Sequence, residues 1–434
     1  MRGETRMRRM WAKNIIYVIT GIIISLVVGT LAMIAVYCIP VEHIRENVRK
    51  SAVIYEKEND DYRWAPGISS TLLDNFTDAI MINNAAFIGT GSVIDDAMNN
   101  PWVDYEDVSS KPLAMLKAAS EDTLENATVV NYARYWHGYL VWLKPLLYFL
   151  TVSDIRVLNM CIQFTLLFFV LIELYKKKGY RIAIPFGLAI LMINPVTTAL
   201  CMQLSCIYYI TLIAALFMLC TDLYKKDTYW HIFLWIGIST AYFDFLTYPL
   251  VGLGINLLLV LALRDDAVNN ILESTKKIIA GSAVWGMGYA GMWSGKWLIS
   301  YLLTGDNTIA DGIKNAKIRL SGDGAEEAGF DTNSIIQIIK YNLAELKNKP
   351  MLLVILICVL LIVFIIVVKK YKISIHIQSM ISLGIVACYP FFWFFILKNH
   401  SAIHRYMAHR NFAISIFAFG IFVFDTLQKK EREF

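Results

Sequence analysis

The chain alternates long apolar runs with polar segments, and the runs have the length that a membrane demands. A bilayer core about 30 Å thick takes roughly 20 apolar residues as helix. Ten stretches fit, roughly 15–38, 155–175, 182–201, 204–222, 230–247, 249–263, 278–303, 351–368, 375–397 and 411–427. The sixth is short enough to be tilted or partly inserted. The first is apolar from Ile15 to Ile39, well beyond the apolar core of about 7–15 residues in a secretory signal, and reads as a retained span. Three substantial polar segments lie between the runs, at 40–154, 304–350 and 398–410. The pattern predicts an all-α polytopic membrane protein with a helical first loop. It divides into a short tail (1–14), a membrane domain (15–427) and a second tail (428–434).

Composition narrows the class. Of 434 residues 57% are hydrophobic and 17% charged, against roughly 25% charged in a soluble domain. That excludes a cytosolic enzyme, a secreted disulfide scaffold and a disordered regulator. The net charge of +5 does not point to nucleic acid, because the basic residues follow a topological pattern. Clusters stand at Arg2–Lys13, Lys176–Arg181, Lys225–Lys226, Arg264–Lys277, Lys369–Lys372 and Lys429–Arg432, and hold half of the 40 Lys and Arg. Each cluster falls at a terminus or on an even-numbered gap between spans. Short cytoplasmic loops are enriched in Lys and Arg. The expected protein is therefore multi-pass in the cell membrane, with both termini cytoplasmic and the three long polar segments outside. The seven cysteines lie in or beside apolar runs without metal-ligand spacing.

Four sets of residues are candidates for chemistry. In Leu72–Asn84, Ser70 or Thr71 is placed to cap a helix, and Asp74 and Asp78, one turn apart, would share a face. Two such carboxylates suit a general base, or ligands for a divalent metal such as Mg or Mn. A solvated amphipathic helix is the competing reading. In Arg134–Phe149, His137 and Lys144 sit among Tyr and Trp residues of the kind found at headgroup level, which predicts an interfacial helix. Within spans, Asp244 lies between two phenylalanines, and Lys296 follows Trp293 and precedes Trp297. Charges there are costly unless they face a cavity or a partner. The last set is the basic segment with Lys398, His400, His404, Arg405, His409 and Arg410, where forked arginines suit phosphate oxygens.

With these residues in view, the chain resembles the GT-C superfamily of integral-membrane glycosyltransferases. The likeness rests on a first span followed by Asp74-Asn-Phe-Thr-Asp78, then Tyr135-Trp-His-Gly with Lys144-Pro-Leu-Leu, and later Asn399-His-Ser-Ala-Ile-His-Arg405 with Arg410. About 35 residues separate the first span from Asp74, whereas many members place the acid closer. The resemblance implies a bacterial enzyme that takes a sugar from a polyprenyl-phosphate carrier and gives it to an envelope glycan, lipid or protein. Asp78, or failing it Asp74, would be the catalytic base. Arg405, Arg410, His404 and Lys296 would hold the donor phosphate, and Asp244, His137, Lys144 and Trp293 would line the substrate cavity. No cofactor or metal ligand is assigned. The partners are the lipid-linked donor, the acceptor and the bilayer, with no nucleic acid. A flippase for a lipid-linked saccharide and a non-catalytic assembly factor are the alternatives.

Overall fold

The computed structural model describes residues 2–264, 270–321, 323–346, 371–373 and 376–429. The expected span 351–368, Lys369, Lys370, and Lys430 and Arg432 of the second tail lie outside the described residues. Within them the protein is helical, and strands occur as three short antiparallel pairs, 61–63 with 72–74, 102–104 with 128–130, and 371–373 with 427–429. Five helices are long and apolar enough to cross a membrane: Ala12–Tyr37, Val152–Lys178, Met202–Cys220, Ile377–Ile396 and Arg405–Thr426. Four shorter apolar helices accompany them, Leu140–Phe149, Tyr180–Ile193, His231–Phe243 and Leu250–Leu263. An all-helical membrane protein follows from these elements.

Two places break the simple reading of spans. Asn194 adopts the left-handed conformation, with φ 65°, and ends the helix Tyr180–Ile193. Its side chain accepts from Thr197 N, and Pro195 opens the six-residue helix to Leu200. The expected single run 182–201 is therefore a helix plus a short capped turn, because an Asn-Pro pair favours a new start over continuation. The second break follows His231–Phe243. Asp244 is extended, Leu246 has φ 70°, and Leu250–Leu263 starts only after Pro249.

Helix Ile271–Thr304 spans 34 residues and lies along His231–Phe243 in backbone contact. A Cβ on Gly237 would come within 2.2 Å of the Trp285 carbonyl, and one on Gly288 within 2.6 Å of the Leu234 carbonyl. Small residues that admit such approach replace the hydrophobic effect as the glue between helices in lipid. One core joins Val152–Lys178, Tyr180–Ile193, Met202–Cys220, Leu250–Leu263 and Phe412–Thr426. A second joins the first helix, Asn75–Ala85, Leu140–Phe149, His231–Phe243 and Ile271–Thr304. The segments 61–85, 131–139, 308–320 and 398–411 meet at one end of this bundle.

Candidate functional site

The acidic motif folds differently from its expected capping pattern. Ser69–Thr71 is a 3-10 turn, and Asp74 itself caps Asn75–Ala85. Its carboxylate accepts Thr77 N at 3.1 Å and Thr77 Oγ1 at 2.8 Å. The second of these oxygens also accepts the Tyr406 hydroxyl at 3.1 Å. Residues 332 positions apart thus join the acidic and basic segments. Burial raises the Asp74 carboxyl above its ordinary value, against the pull of Thr77 and Tyr406.

Asp78 has another role. It is fully buried and its two oxygens accept Met202 N at 2.8 Å and Gln203 N at 2.9 Å. It caps the N-terminus of the span Met202–Cys220, where unpaired amides and the helix dipole favour an anion. Burial pushes Asp78 up to about 7, opposed by those two amides. Asp74 is likewise buried, at 3% exposed, and likewise caps a helix; it differs from Asp78 in reaching the basic segment, through Tyr406. On that contact the base assignment moves from Asp78 to its alternative, Asp74.

Most of the other expected site residues are likewise satisfied from within. Arg410 is fully buried and donates to the carbonyls of Ile193 (3.0 Å), Ser70 (3.1 Å) and Tyr406. Lys296, also fully buried, donates to Met98 O at 2.7 Å and Asn100 Oδ1 at 3.1 Å, above the Trp136 ring. Lys144 donates to Ala85 O at 3.0 Å at the end of the Asp74-capped helix. Asp244 accepts Thr247 N at 2.9 Å and the Thr247 hydroxyl. Trp293 donates to Arg134 O at 2.9 Å, and Trp297 to the same carbonyl at 3.0 Å. The expected phosphate ligands Arg410 and Lys296 are thus turned to protein acceptors, three carbonyls for Arg410 and the Met98 carbonyl with the Asn100 amide oxygen for Lys296.

His137 is held in one tautomer. Its Nε2 faces Tyr132 O at 2.8 Å and must carry the proton, leaving Nδ1 to accept the Tyr139 hydroxyl at 3.0 Å. Burial lowers its pKa to about 3, so the ring is neutral. Its φ of 54° bends the chain toward the 244–249 break, and Gly138 N donates to Tyr242 O at 2.9 Å. A Cβ on Gly138 would stand 2.3 Å from the Tyr242 ring, so only glycine fits.

No protein-family model, curated protein or solved structure matches the chain. The arrangement of side chains therefore carries the functional argument.

A different pattern surrounds His404. Arg319 Nη1 lies 3.2 Å from His404 Nε2. A guanidinium only donates, so that nitrogen accepts and His404 is neutral with its proton on Nδ1. Its pKa is lowered to about 3 by burial and by Arg319. The His400 ring is 4.7 Å away, and neither of its nitrogens has a hydrogen-bond partner, although the residue is only 2% exposed. Arg405, by contrast, pairs with Glu345 at 2.9 Å and covers the Phe330 ring. Sequence analysis did not single out Arg319, which lies close to Lys314 and Lys317 in the polar segment 304–350. The available signal was the spacing Asp311, Asn315, Arg319, which puts three polar groups on one stripe of Thr308–Leu320.

Among the described residues no three His, Cys, Asp or Glu side chains converge as metal ligands. An apolar cavity of about 770 Å³ opens between the membrane helices, lined among others by Tyr17, Trp142, Cys206, Tyr209, Phe217 and Trp235. Asp244, His137, Lys144 and Trp293 do not line it, because their polar atoms turn to the protein contacts described above. From Cys206 to Phe217 the cavity follows about eleven helical rises, roughly 16 Å at 1.5 Å each.

Proposed function

We propose that the protein is an integral-membrane glycosyltransferase of GT-C type that takes its sugar from a polyprenyl-phosphate donor. On this reading the chain crosses the cell membrane ten times, its termini are cytoplasmic, and the polar end of the bundle faces outward. The observation that carries the proposal is the Asp74–Tyr406 hydrogen bond, which joins the acid-bearing segment to the segment rich in Arg and His. The apolar cavity supports it, since its size and lining suit a long hydrocarbon chain.

Asp74 would take the proton of an acceptor hydroxyl as that oxygen attacks the anomeric carbon. The bond to the donor phosphate breaks, and the phosphate leaves with the electron pair. A single displacement inverts the anomeric centre. A free aspartate with pKa near 3.9 is a weak base; the upward shift at Asp74 makes it stronger, and the Tyr406 hydroxyl fixes its orientation. A positioned base contributes about 10²–10⁴ in rate. Purified protein in liposomes, given radiolabelled polyprenyl-phosphate sugar and envelope acceptors, should transfer label, and Asp74→Asn should lower transfer about a hundredfold or more. Near-native transfer by Asp74→Asn rejects Asp74 as the base. Movement of labelled donor across the bilayer without transfer would replace the enzyme by a flippase.

A further inference from the structure

We propose that the end of the apolar cavity remote from Asp74 holds an anionic phospholipid of the bilayer, with an acyl chain in the cavity and the headgroup at Tyr17 and His231. The proposal goes beyond the transferase reading and concerns the opposite leaflet, which on the topology proposed above is the cytoplasmic one.

Three helices fix which end this is. Met202–Cys220 starts at the Asp78 cap and ends about 27 Å away by its helical rise. Phe217 and Leu223, which line the cavity, stand near and beyond that far end. Tyr37 of the first helix accepts from Asn84 of the Asp74-capped helix at 3.2 Å, and Tyr17 lies about 30 Å back along the same helix. His231 opens His231–Phe243, whose other end meets Gly138 through Tyr242.

This mouth offers mostly donors. The Tyr17 and His231 rings stack at 4.0 Å, and Trp235 Nε1 donates to the Tyr17 hydroxyl at 2.9 Å. That bond uses an oxygen lone pair and leaves the Tyr17 O–H to donate. Among the described residues nothing accepts from it, and the His231 ring makes no hydrogen bond. Lys13 lies one turn before Tyr17 on the same helix face. Lys226 closes the turn after Leu223, its N donating to Leu223 O at 3.0 Å. Neither lysine has a carboxylate in ion-pair contact among the described residues, whereas Lys177 and Lys225 are both held by Asp222. Asp227 is the opposing charge in the turn. Such donors suit phosphate oxygens, and basic pockets between membrane helices bind anionic headgroups.

The cavity decides for a lipid. Ile213, Phe217 and Trp235 line it and are about half exposed, so it opens sideways toward the hydrocarbon. A chain that enters there meets apolar side chains, and its head meets Tyr, Trp and His at headgroup level. A soluble anion would gain nothing from that lining. A donor tail bound near Asp74 would come in from the Cys206 end instead.

The test is lipid titration of the full chain in detergent, read by native mass spectrometry, with phosphatidylglycerol and phosphatidylcholine of equal acyl length as probes. Phosphatidylglycerol should bind about tenfold more tightly. Lys13→Gln and Lys226→Gln should each weaken it about fivefold, and Tyr17→Phe about tenfold. Asp227→Asn should tighten it severalfold, a gain that misfolding cannot imitate. Ala214 lines the cavity, and Ala214→Phe, which fills space without touching a charge, should abolish binding of either lipid. Equal affinity for the two lipids leaves a groove for any hydrocarbon and overturns the site. Native-like phosphatidylglycerol binding by Ala214→Phe reduces it to surface charge and also overturns it. Farnesyl phosphate that displaces phosphatidylglycerol, while both lysine variants bind normally, assigns the cavity to a donor tail and overturns it too. No sugar transfer is read, so the transferase reading is judged by its own assay.

Discussion

Two groups of charges at the same end of the bundle behave in opposite ways. Asp78, Lys144, Lys296 and Arg410 are buried and hydrogen-bonded, mostly to backbone groups at helix ends and turns. Arg134 has a long 3.5 Å pair with the half-exposed Asp311, Arg319 donates to the neutral His404, and the His400 ring lies 4.7 Å from that of His404. A buried charge whose hydrogen bonds are met offsets its desolvation cost and fixes geometry. One whose donors remain free keeps its interaction energy for something else. Burial alone therefore does not separate the two groups; the hydrogen-bond and ion-pair partners of each charge do.

The sharpest way to break this comparison is to remove a saturated charge. Arg410→Met removes a donor from the carbonyls of Ile193, Ser70 and Tyr406, of which Ser70 O keeps Asn194 Nδ2 and Thr197 Oγ1. Each buried unpaired group costs about 1–3 kcal/mol, so a loss of roughly 3–5 kcal/mol is expected. Denaturant unfolding in detergent, read by tryptophan fluorescence, measures it. A native-like midpoint would show that Arg410 is not the tie between segments 70, 193 and 406.

A smaller effect comes from the neutral histidines. His137 and His404 are depressed from 6.5 to about 3 in the folded protein. As pH falls from about 6.5 toward 3, the unfolded chain takes up protons that the folded one refuses. The contribution of each histidine is therefore fully present above pH 6.5 and is lost with acid, by at most about 1.4 kcal/mol per pH unit. His404, less enclosed, contributes less than His137. Buried Asp78, raised to about 7, takes up its proton in the folded state and opposes this trend, so the readout is the difference between proteins: from pH 7.0 to 5.0 the midpoint of His137→Gln should lose less, or gain more, than that of the unaltered protein. The same pH dependence in both contradicts the neutral assignment.

Much of the fold was legible because apolar run length is a strong signal. The stretches 15–38, 155–175 and 204–222 coincide with helices Ala12–Tyr37, Val152–Lys178 and Met202–Cys220. The breaks were less legible. Asn194-Pro195 carries a turn signal inside an apolar run, and Leu246 at φ 70° carries none. At the site, periodicity placed Asp74 and Asp78 one turn apart but could not tell that Asp74 starts the helix while Asp78 caps another one 124 residues later. That distinction depends on tertiary contact. The basic segment drew attention to Arg405 and Arg410 by their density, whereas Arg319 was not singled out beside Lys314 and Lys317. In a membrane protein the density of charge along the sequence reports topology first, and only the partners in space report use.

The central claim is the division between saturated and unsaturated charges. Lys296→Met and Arg319→Gln test it side by side, as unfolding midpoints in one detergent. The loss of the Lys296 bonds to Met98 and Asn100 should cost about 2–4 kcal/mol. Arg319→Gln should keep a midpoint close to that of the unaltered protein. A destabilised Arg319→Gln, beside a Lys296→Met that unfolds like the unaltered protein, would contradict the division.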